Sequence, residues 1–527
     1  MILVTILLVL MIGGLLAWVI SAASKVLSKW IALLALIADL VLIVSFWIEK
    51  ASVVQFRGSD SWLEHIQYDW IPSFGMSFHL AIDGLSLVMT SLTFLLGIIA
   101  VLASWKSLSK HAGFFYFNVL WLLAGITGVF LAMDMMLFYF FWEIMLVPMY
   151  FVMVIWGHEN SKYAGWKFFL FTQLSGLLML ITILGLYFLH GINTGTYTFD
   201  YFALLGTKMS SQAAFWLMCG FLIAFFTKLP VIPFHSWLPD AYAQSPSAGS
   251  IIIAGLMSKT AAYGILRFVI PLFPDAAHSF SYAAIIIGVA SILYGAKLSF
   301  AQRDLKRLIA FSSLSHMGFI LVGVFSFNEM AYQGVMLQMI AHGLSIAALF
   351  LISEFIYERT NSLDMQEMGG FWSKMPNMGG FTLVFVMASL GLPGLANFVA
   401  EFLILAGAWQ WNIILSVLAT LGLIVSVTYS LRILQKIFQQ RKHTMEWSLH
   451  DLSPREWIVM GSLSVCILWL GFFPQSIIKM VKPVFENMEV IESYSDQPKN
   501  ATTLFLPADN TNFQIYFINE IKEDAVC

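Results

Sequence analysis

Long apolar stretches alternate with short polar connections along nearly the whole chain. Because about 20 apolar residues cross a bilayer as a helix, this pattern predicts about fourteen transmembrane helices. We place these spans at residues 2–20, 31–48, 84–104, 114–132, 135–156, 168–190, 213–235, 248–272, 281–300, 307–326, 331–356, 379–410, 413–434 and 457–474. The connections are short, so consecutive helices should pack side by side. The predicted fold class is an all-α polytopic membrane protein.

Two of the predicted spans contain residues that break helices. Pro230 and Pro233 interrupt the seventh span, and each proline removes a backbone donor and clashes with the preceding turn. The segment GLPG at 391–394 interrupts the twelfth span. Interrupted spans at matching positions indicate an internal repeat with functional sites at the breaks. Since the broken spans are five apart, we predict a five-helix repeat, and its odd number of helices inverts the second copy in the membrane.

These features divide the chain into five predicted regions. They are N-terminal helices with an external loop at 1–112, a first five-helix repeat at 113–272, an inverted second repeat at 281–435, a last helix within 436–482, and a polar acidic tail at 483–527. Because the tail is polar and acidic, we expect a loosely ordered extension. Within the first region, residues 49–80 are rich in aromatic and charged side chains, and we expect a long external loop there.

The composition supports a membrane protein and excludes several classes of function. Of the 527 residues, 59% are hydrophobic and 11% are charged, whereas soluble domains contain about 25% charged residues. The net charge of -3 and the absence of a basic patch argue against a nucleic-acid partner. The three cysteines lack metal or redox spacing, and no glycine-rich dinucleotide motif is present. The sequence therefore predicts no cofactor site.

Lysines and arginines are distributed unevenly among the predicted loops. Fourteen of them follow odd-numbered spans and five follow even-numbered spans. Positive residues in short loops favour the cytoplasmic side of a membrane. The loops after odd-numbered spans are therefore predicted to be cytoplasmic, with both termini outside the cytoplasm. A missed helix would have scrambled this alternation, so it also supports the number of spans.

Four charged residues lie inside the predicted spans: Glu143, Lys228, Lys259 and Glu401. A charge in the bilayer centre costs at least roughly 2.5–3.5 kcal/mol, and such residues usually serve a function. A nearby carboxylate favours the charged form of a lysine, whereas burial favours the neutral form. A partner that moves towards or away from a lysine would therefore load or release a proton. This series indicates proton handling.

Three histidines lie on or near the same series, in the seventh, tenth and eleventh spans: His235, His316 and His342. Histidine titrates near neutral pH with little perturbation, so each is a candidate relay member. Each is equally consistent with a core polar group that is simply satisfied by hydrogen bonds.

The four charged residues also have structural explanations. Glu143 and Lys228 would suit a static ion pair that holds helices together. Glu401 would suit a carboxylate that satisfies backbone groups freed at the second break. Lys259 has no evident local partner in the sequence, which favours a functional role.

Several long motifs identify a family. They are FFWEIMLVPMYF, KLPVIPFHSWLPDAYAQSPSAGS with LMSKTAAYGILRF, RDLKRLIAFSSLSHMGF, QMIAHGLSIAALFL and GLPGLANFVAEFLIL. Together they resemble the antiporter-like subunits of respiratory complex I, the NADH–quinone oxidoreductase, over about residues 75 to 475. The resemblance implies a fourteen-helix subunit with an inverted five-helix repeat. It also implies a proton channel without redox cofactors of its own.

The resemblance implies a role for every candidate residue. The family's fifth-span glutamate, seventh-span lysine and central lysine correspond to Glu143, Lys228 and Lys259. Glu401 matches a terminal glutamate at a position where sister chains carry lysine. The histidines of the family's polar axis correspond to His235, His316 and His342.

The function implied by this resemblance is proton translocation driven by redox chemistry in partner subunits, where NADH and quinone act. The implied partners are other membrane subunits of complex I and the lipid bilayer, and the implied location is the bacterial inner (plasma) membrane. The alternative is a subunit of a multi-subunit sodium/proton antiporter with the same fold, which Glu401 disfavours. A third hypothesis is a passive scaffold with fixed ion pairs.

Overall fold

The structure, a computed structural model, describes residues 1–54, 62–106, 111–440, 447, 449–495, 503–508 and 512–517. Thirteen helical spans in this part of the chain are long and apolar enough to cross a membrane. They correspond to every predicted span except the twelfth, which is divided. The prediction of an all-α polytopic membrane protein is confirmed.

The helices are numbered in chain order. Up to residue 228 they are α1 (Ile2–Ile20), α2 (Lys25–Val54), α3 (Gly84–Ala103), α4 (Ala112–Leu131), α5 (Met135–Ile144), α6 (Leu146–Trp156), α7 (Ser161–Thr194), α8 (Tyr201–Leu204) and α9 (Ser211–Lys228). After it they are α10 (Leu238–Gln244), α11 (Ser247–Ile252), α12 (Ser258–Gly264), α13 (Ile270–Leu272), α14 (Pro274–Ala301), α15 (Leu305–Val324), α16 (Glu329–Thr360), α17 (Pro376–Ser389), α18 (Ala396–Trp411), α19 (Ile413–Ile433), α20 (Pro454–Phe472) and α21 (Gln475–Ser495). Three π-helical segments extend these helices: Ile253–Met257, Ile265–Val269 and Leu434–Gln439.

Both predicted breaks are present. Helix α9 ends at Lys228, and turns at 229–237 lead into α10. In the twelfth span, residues 390–395 separate α17 from α18. Gly391 and Gly394 have φ values of +78° and +93° there, a backbone conformation that glycine adopts without steric cost. Neither half of this span is long enough to cross a bilayer alone.

Two further irregularities were not predicted from the sequence. The fifth span is divided into α5 and α6 at Met145, two residues after Glu143. The eighth span contains two π-helical segments, one on each side of Lys259. Isolated π turns are rare and occur frequently at functional sites. Irregular backbone is therefore present in all four spans that contain an intramembrane charge, and not only in the two spans with predicted breaks.

A matched pair of contacts supports the predicted repeat. Asp134 caps the N-terminus of α5 and forms an isolated antiparallel bridge with Asp200, ahead of the first broken span. Asp304 caps α15 and forms the same bridge with Asp364, ahead of the second broken span. Helices α5 and α15 begin the fifth and tenth spans, which are the second members of the two predicted units. The five-helix repeat and its inversion stay predictions.

The predicted external loop is only partly a loop. Helix α2 continues to Val54, and an antiparallel hairpin of β1 (Trp62–Ile71) and β2 (Met76–Asp83) leads directly into α3. Residues 55–61 lie outside the described part. The hairpin adds a small amount of β-structure to the helical fold, and it marks one end of the bundle.

The expectation of a loosely ordered tail from 483 onward is wrong for residues 483–495. These residues belong to α21, which packs against α16 and α3. The helix is amphipathic, and its buried face includes Val481, Val484, Phe485 and Met488. Apolar residues at this spacing share one face and favour a packed helix. Further on, β3 (Thr503–Ala508) and β4 (Asn512–Phe517) form a second antiparallel hairpin, and the rest of the predicted tail lies outside the described residues.

Candidate functional site

Glu143 lies near the end of α5, beside the break at Met145. Its carboxylate is flanked by Tyr139, Gln173 and Lys228. The Oε1 atom is buried and has no hydrogen-bond partner within the described part of the chain. Helix α7 approaches this oxygen at Gly176, where an added Cβ would lie 2.5 Å from Oε1. The first carboxylate of the series is therefore tightly enclosed but incompletely bonded.

Lys228 is the last residue of α9, and its side chain is buried. A cation at a helix C-terminus interacts favourably with the helix dipole. Its Nζ atom lies 3.7 Å from the centroid of the Trp142 ring, a geometry that stabilises a desolvated cation. Among the described residues, no direct ion pair joins Lys228 to Glu143, although the two charges are close enough to interact. The structure therefore does not contain the static ion pair between Glu143 and Lys228 that the sequence allowed.

Lys259 is fully buried in α12, immediately after the first π-helical segment. Its Nζ atom lies 2.5 Å from the Ala254 carbonyl oxygen, 3.3 Å from Ser258 Oγ and 2.7 Å from His342 Nδ1. The widened backbone turn thus provides one acceptor and the neighbouring α16 provides another. The partner that the sequence did not reveal is His342.

A continuous series of side-chain contacts joins Lys259 to Glu401. His342 contacts Lys259, and the centroids of the His342 and His316 rings lie 5.4 Å apart. His316 Nδ1 in turn lies 2.8 Å from Glu401 Oε1. Gln338 Nε2 donates a 3.0 Å hydrogen bond to the same oxygen. The structure therefore brings together four of the seven candidate residues in one buried row.

Several polar atoms along this row have no partner in the described structure. They are His342 Nε2, Gln338 Oε1 and Glu401 Oε2. A cavity of about 330 Å³ beside Glu401 is lined mainly by apolar side chains, with Ser416 and Thr420 as its other polar members. Buried polar atoms are normally satisfied by protein or by ordered water. Glu401 Oε2 therefore has the bonding capacity for an ordered water.

His235 lies in the first break, between α9 and α10. Its Nδ1 atom has no hydrogen-bond partner in the described ranges, and its ring meets that of Tyr294 edge-on, with centroids 5.4 Å apart. No hydrogen bond joins His235 to another candidate residue in that part of the structure. The structure places it near the first break but outside the row.

Sequence reasoning missed two groups of residues. Gln338 is one; it lies one helical turn before His342 in the motif QMIAHG, and this spacing puts both side chains on one face of α16. The other group surrounds Lys306, which lies just outside the predicted tenth span and is fully buried. Its Nζ atom lies 2.9 Å from His158 Nε2 and 3.2 Å from Glu354 Oε2.

His158 lies in the turn between α6 and α7. Burial and the nearby Lys306 charge lower its pKa to about 4, although the Glu354 carboxylate opposes this shift. The imidazole is therefore neutral at physiological pH and accepts a hydrogen bond from the Lys306 ammonium. This cluster binds the turn after the fifth span to α15 and α16.

Arg267, in the second π-helical segment of the eighth span, pairs with Asp83 at the hairpin end of the bundle. Asp83 also caps α3 through Ser86, whose backbone nitrogen lies 2.9 Å from Asp83 Oδ1. The Arg267 guanidinium lies 4.8 Å from the centroid of the Trp62 ring. These contacts fasten the hairpin to the eighth span.

Comparisons with known proteins agree with this architecture. The family described as NADH:quinone oxidoreductase/Mrp antiporter, TM, matches residues 132–426. NADH-quinone oxidoreductase subunit M of Pseudomonas aeruginosa is 49% identical over 488 residues, which cover 91% of this chain and 95% of that protein. A chain of respiratory complex I from Thermus thermophilus, solved with bound NADH, superposes with a TM-score of 0.83 at 28% identity, covering 93% of this chain and 100% of that one. A chain of the Mrp complex from Dietzia sp. DQ12-45-1b shares the fold, with a TM-score of 0.79 at 20% identity over 93% of this chain and 98% of that one.

Proposed function

This chain belongs to the NADH:quinone oxidoreductase/Mrp antiporter transmembrane family, and we propose that it is a proton-translocating membrane subunit of an NADH–quinone oxidoreductase. Its relative in Pseudomonas aeruginosa is named subunit M of that enzyme, and the match covers nearly all of both chains. In this proposal NADH and quinone react in partner subunits. The present chain is the part of the complex that moves protons without redox chemistry of its own.

The observation that carries the proposal is the row from Lys259 to Glu401. Proton transfer needs donors and acceptors within hydrogen-bond reach, directly or through one water. Lys259 and His342 meet this condition at 2.7 Å, and His316 and Glu401 meet it at 2.8 Å. Each imidazole accepts a proton on one ring nitrogen and releases it from the other. The unpartnered His342 Nε2 is the atom from which a water would carry the proton onward to His316.

The energy for outward transport comes from the partner subunits. Moving one proton outward against a membrane potential of 100 mV costs about 2.3 kcal/mol. Passive transfer along the row would therefore not carry protons outward. A change in the separation of Glu143 and Lys228 would alter the positive charge that Lys259 experiences. Like charges repel one another. A Lys228 charge that is less compensated by Glu143 would therefore drive the proton from Lys259 towards His342.

The proposal includes an orientation in the membrane, which the loop charges support. Most positive loop residues follow odd-numbered spans, which favours cytoplasmic loops there and an outer location for both termini in a bacterial inner membrane. The α-amino group of Met1 lies 2.6 Å from Glu64 Oε1 in β1. The N-terminus and the hairpin therefore share one end of the bundle, in agreement with this orientation.

The alternative of a sodium/proton antiporter subunit rests on the fold alone. The Mrp chain and the complex I chain superpose on this protein with similar TM-scores of 0.79 and 0.83, so architecture does not separate the two. The 49% identity to subunit M favours the redox-driven complex.

The proposal is tested with Lys259→Ala in the assembled complex, using inverted membrane vesicles. We expect NADH-driven proton uptake into the vesicles to fall several-fold while the complex still assembles, because the donor at the start of the row is removed. Lys208→Ala is the matched control, since Lys208 is exposed on the connection before α9. Normal pumping by Lys259→Ala would refute the assignment, and loss of assembly in both Lys259→Ala and Lys259→Arg would favour the scaffold hypothesis.

A further inference from the structure

Asp39 is a buried carboxylate that the proton row does not use. It lies in the middle of α2 with no exposed surface. Neither carboxylate oxygen has a hydrogen-bond partner in the described part of the molecule. An ionised carboxylate without a partner is very costly in an apolar interior, and such groups are neutralised or paired. The surroundings of Asp39 decide which of these applies.

The helix register locates Asp39 in the N-terminal unit of α1 to α4. The buried face of α2 includes Ala32, Leu36, Asp39 and Ile43. Leu36 marks a junction of three helices, because a Cβ at Gly97 of α3 would lie 3.1 Å from Leu36 Cδ2 and 2.7 Å from a methyl carbon of Leu123 in α4. Asp39 lies one turn from this junction, towards the hairpin end.

Threonines lie at the same level on the two facing helices. One turn from the junction in the same direction are Thr93 on α3 and Thr127 on α4, about 6 Å along each axis. All three side chains share the faces that meet at the junction. The Thr127 hydroxyl is buried and has no hydrogen-bond partner in the described structure, and the same holds for Thr90, two turns from the junction.

The fourth helix closes this space with apolar side chains. A Cβ at Gly13 of α1 would lie 2.9 Å from Ala35 Cβ of α2, and one turn towards the hairpin end is the fully buried Leu10. Helices α1 and α4 contain no charged residue, and α3 has only Asp83 at its cap, already paired with Arg267.

The remaining charged groups near Asp39 lie at helix ends. On α2 these are Lys25, Lys29, Glu49 and Lys50, each about 15 Å or more from Asp39 along the helix axis. On α21, which touches α2, the cations Lys479 and Lys482 flank Met480, whose backbone meets Gly84 at the start of α3, about 13 Å along the α3 axis from Thr93. No described cation therefore lies at the level of Asp39.

We propose that Asp39 is a proton-binding site, separate from the row, at which the protonated carboxyl is hydrated by water held with the threonine hydroxyls of α3 and α4. Unpartnered buried polar atoms on facing helices are the condition under which internal water is retained. A proton neutralises the carboxylate without a shell of ligands, whereas a metal cation would need more oxygen donors than one carboxylate and two hydroxyls offer. This inference does not depend on the proposed function of the row.

A polar stripe connects this site to the hairpin end. On α3, Ser86 and Asp83 continue the face of Thr93 and Thr90 at helical spacing. Ser86 Oγ donates a 2.8 Å hydrogen bond to Asp83 Oδ1. The stripe gives water and protons a polar route between Asp39 and the end of the bundle at which the hairpin lies.

The test is infrared spectroscopy of the purified complex in H₂O and in D₂O. We expect a C=O stretching band of a protonated carboxyl that shifts on transfer to D₂O and that disappears in Asp39→Asn. Glu49→Gln is the matched control on the same helix, because the Glu49 side chain is 70% exposed, and this variant should retain the band. Asp39→Thr serves the same purpose as Asp39→Asn if the asparagine variant fails to assemble.

Three results would overturn the proposal. If the band is the same in wild type, Asp39→Asn and Asp39→Thr, the carboxyl of Asp39 is not protonated. If the Asp39 band does not shift in D₂O after hours of exchange, the site is dry. If adding sodium removes the band from the wild-type complex at constant pH, the site binds a metal cation.

Discussion

The two ends of the intramembrane charge series are built differently. At the Glu401 end, side chains contact one another at 2.7 and 2.8 Å through two histidines. At the Glu143 end, Lys228 lies against the Trp142 ring at 3.7 Å, and no direct ion pair joins it to Glu143 in the described structure. A cation supported by an aromatic ring keeps the freedom to approach or leave a carboxylate. Under the proposed function, the Glu143 end suits a change of charge separation, and the Glu401 end suits proton transfer along existing contacts.

The two broken helices show the same contrast. The first break puts Lys228 at the C-terminus of α9, and the second puts Glu401 in the second turn of α18. Helix dipoles favour cations at C-termini and anions near N-termini, with an effect that falls off within about one turn. Each break therefore exposes the helix end that suits the sign of its charge, and the stabilisation is larger for Lys228.

Removing a contact from the Glu401 end of the charge series should have the largest effect. In His342→Phe the ring shape is kept, but the acceptor 2.7 Å from Lys259 Nζ is lost. We expect NADH-driven proton uptake to fall at least about tenfold, corresponding to roughly 1.4 kcal/mol or more. His278→Phe is the control, because His278 is exposed on α14. Equal pumping by the two variants would mean that the row is not the route.

Removing the aromatic ring of Trp142 from the Glu143 end of the charge series should have an intermediate effect. A desolvated cation–π contact contributes about 2 kcal/mol, and Trp142→Leu removes it from Lys228. We expect pumping to fall by up to about tenfold, with Trp142→Phe less affected because a weaker ring remains. Trp216→Leu, at a tryptophan that is 66% exposed on α9, should pump normally. If phenylalanine and leucine at 142 behave alike, the ring does not support the Lys228 charge.

Adding a methyl group next to the Glu143 carboxylate should have the smallest effect. In Gly176→Ala the new methyl group would lie 2.5 Å from Glu143 Oε1, so the carboxylate must move. We expect a two- to threefold reduction in pumping, about 0.5 kcal/mol in effect. Gly185→Ala on the same helix is the control, because its methyl group would lie 2.8 Å from the Leu217 side chain instead. A similar loss in both variants would point to packing of α7, not to the position of Glu143.

The sequence was sufficient to locate charges and breaks but not contacts. Glu143, Lys228, Lys259 and Glu401 are visible because charged residues are rare in apolar spans. Which side chain faces Lys259 depends on how α12 and α16 pack, and His342 lies 83 residues further along the chain. A pattern of single-helix periodicity contains no information about such pairs.

Three other features cannot be read from the sequence, for different reasons. Lys306 lies at the start of α15 and reads as a loop cation, and only the fold shows that Glu354 and His158 enclose it. The π-helical turns on either side of Lys259 leave no signature, since a continuous apolar segment looks the same with either hydrogen-bonding pattern. Asp39 was likewise passed over, because one acidic residue within an apolar span does not reveal whether it faces lipid, a partner or a closed interior.

The π-helical turns of the eighth span have a consequence for how this segment tolerates insertion and deletion. A turn with hydrogen bonds from i to i+5 accommodates one residue more than a regular turn, so Ile253–Met257 contains a residue that an α-helix of similar length would not. Deleting one residue there would restore the regular hydrogen-bonding pattern and leave the rest of the span in nearly the same register, because the wide turn holds the extra residue without rotating the helix beyond it. It would remove the turn in which the Ala254 carbonyl oxygen, five residues before Lys259, accepts a hydrogen bond from Lys259 Nζ. The extra residue thus gives the lysine a backbone partner, and a one-residue deletion in this segment would change that partner while every charged side chain remained in place.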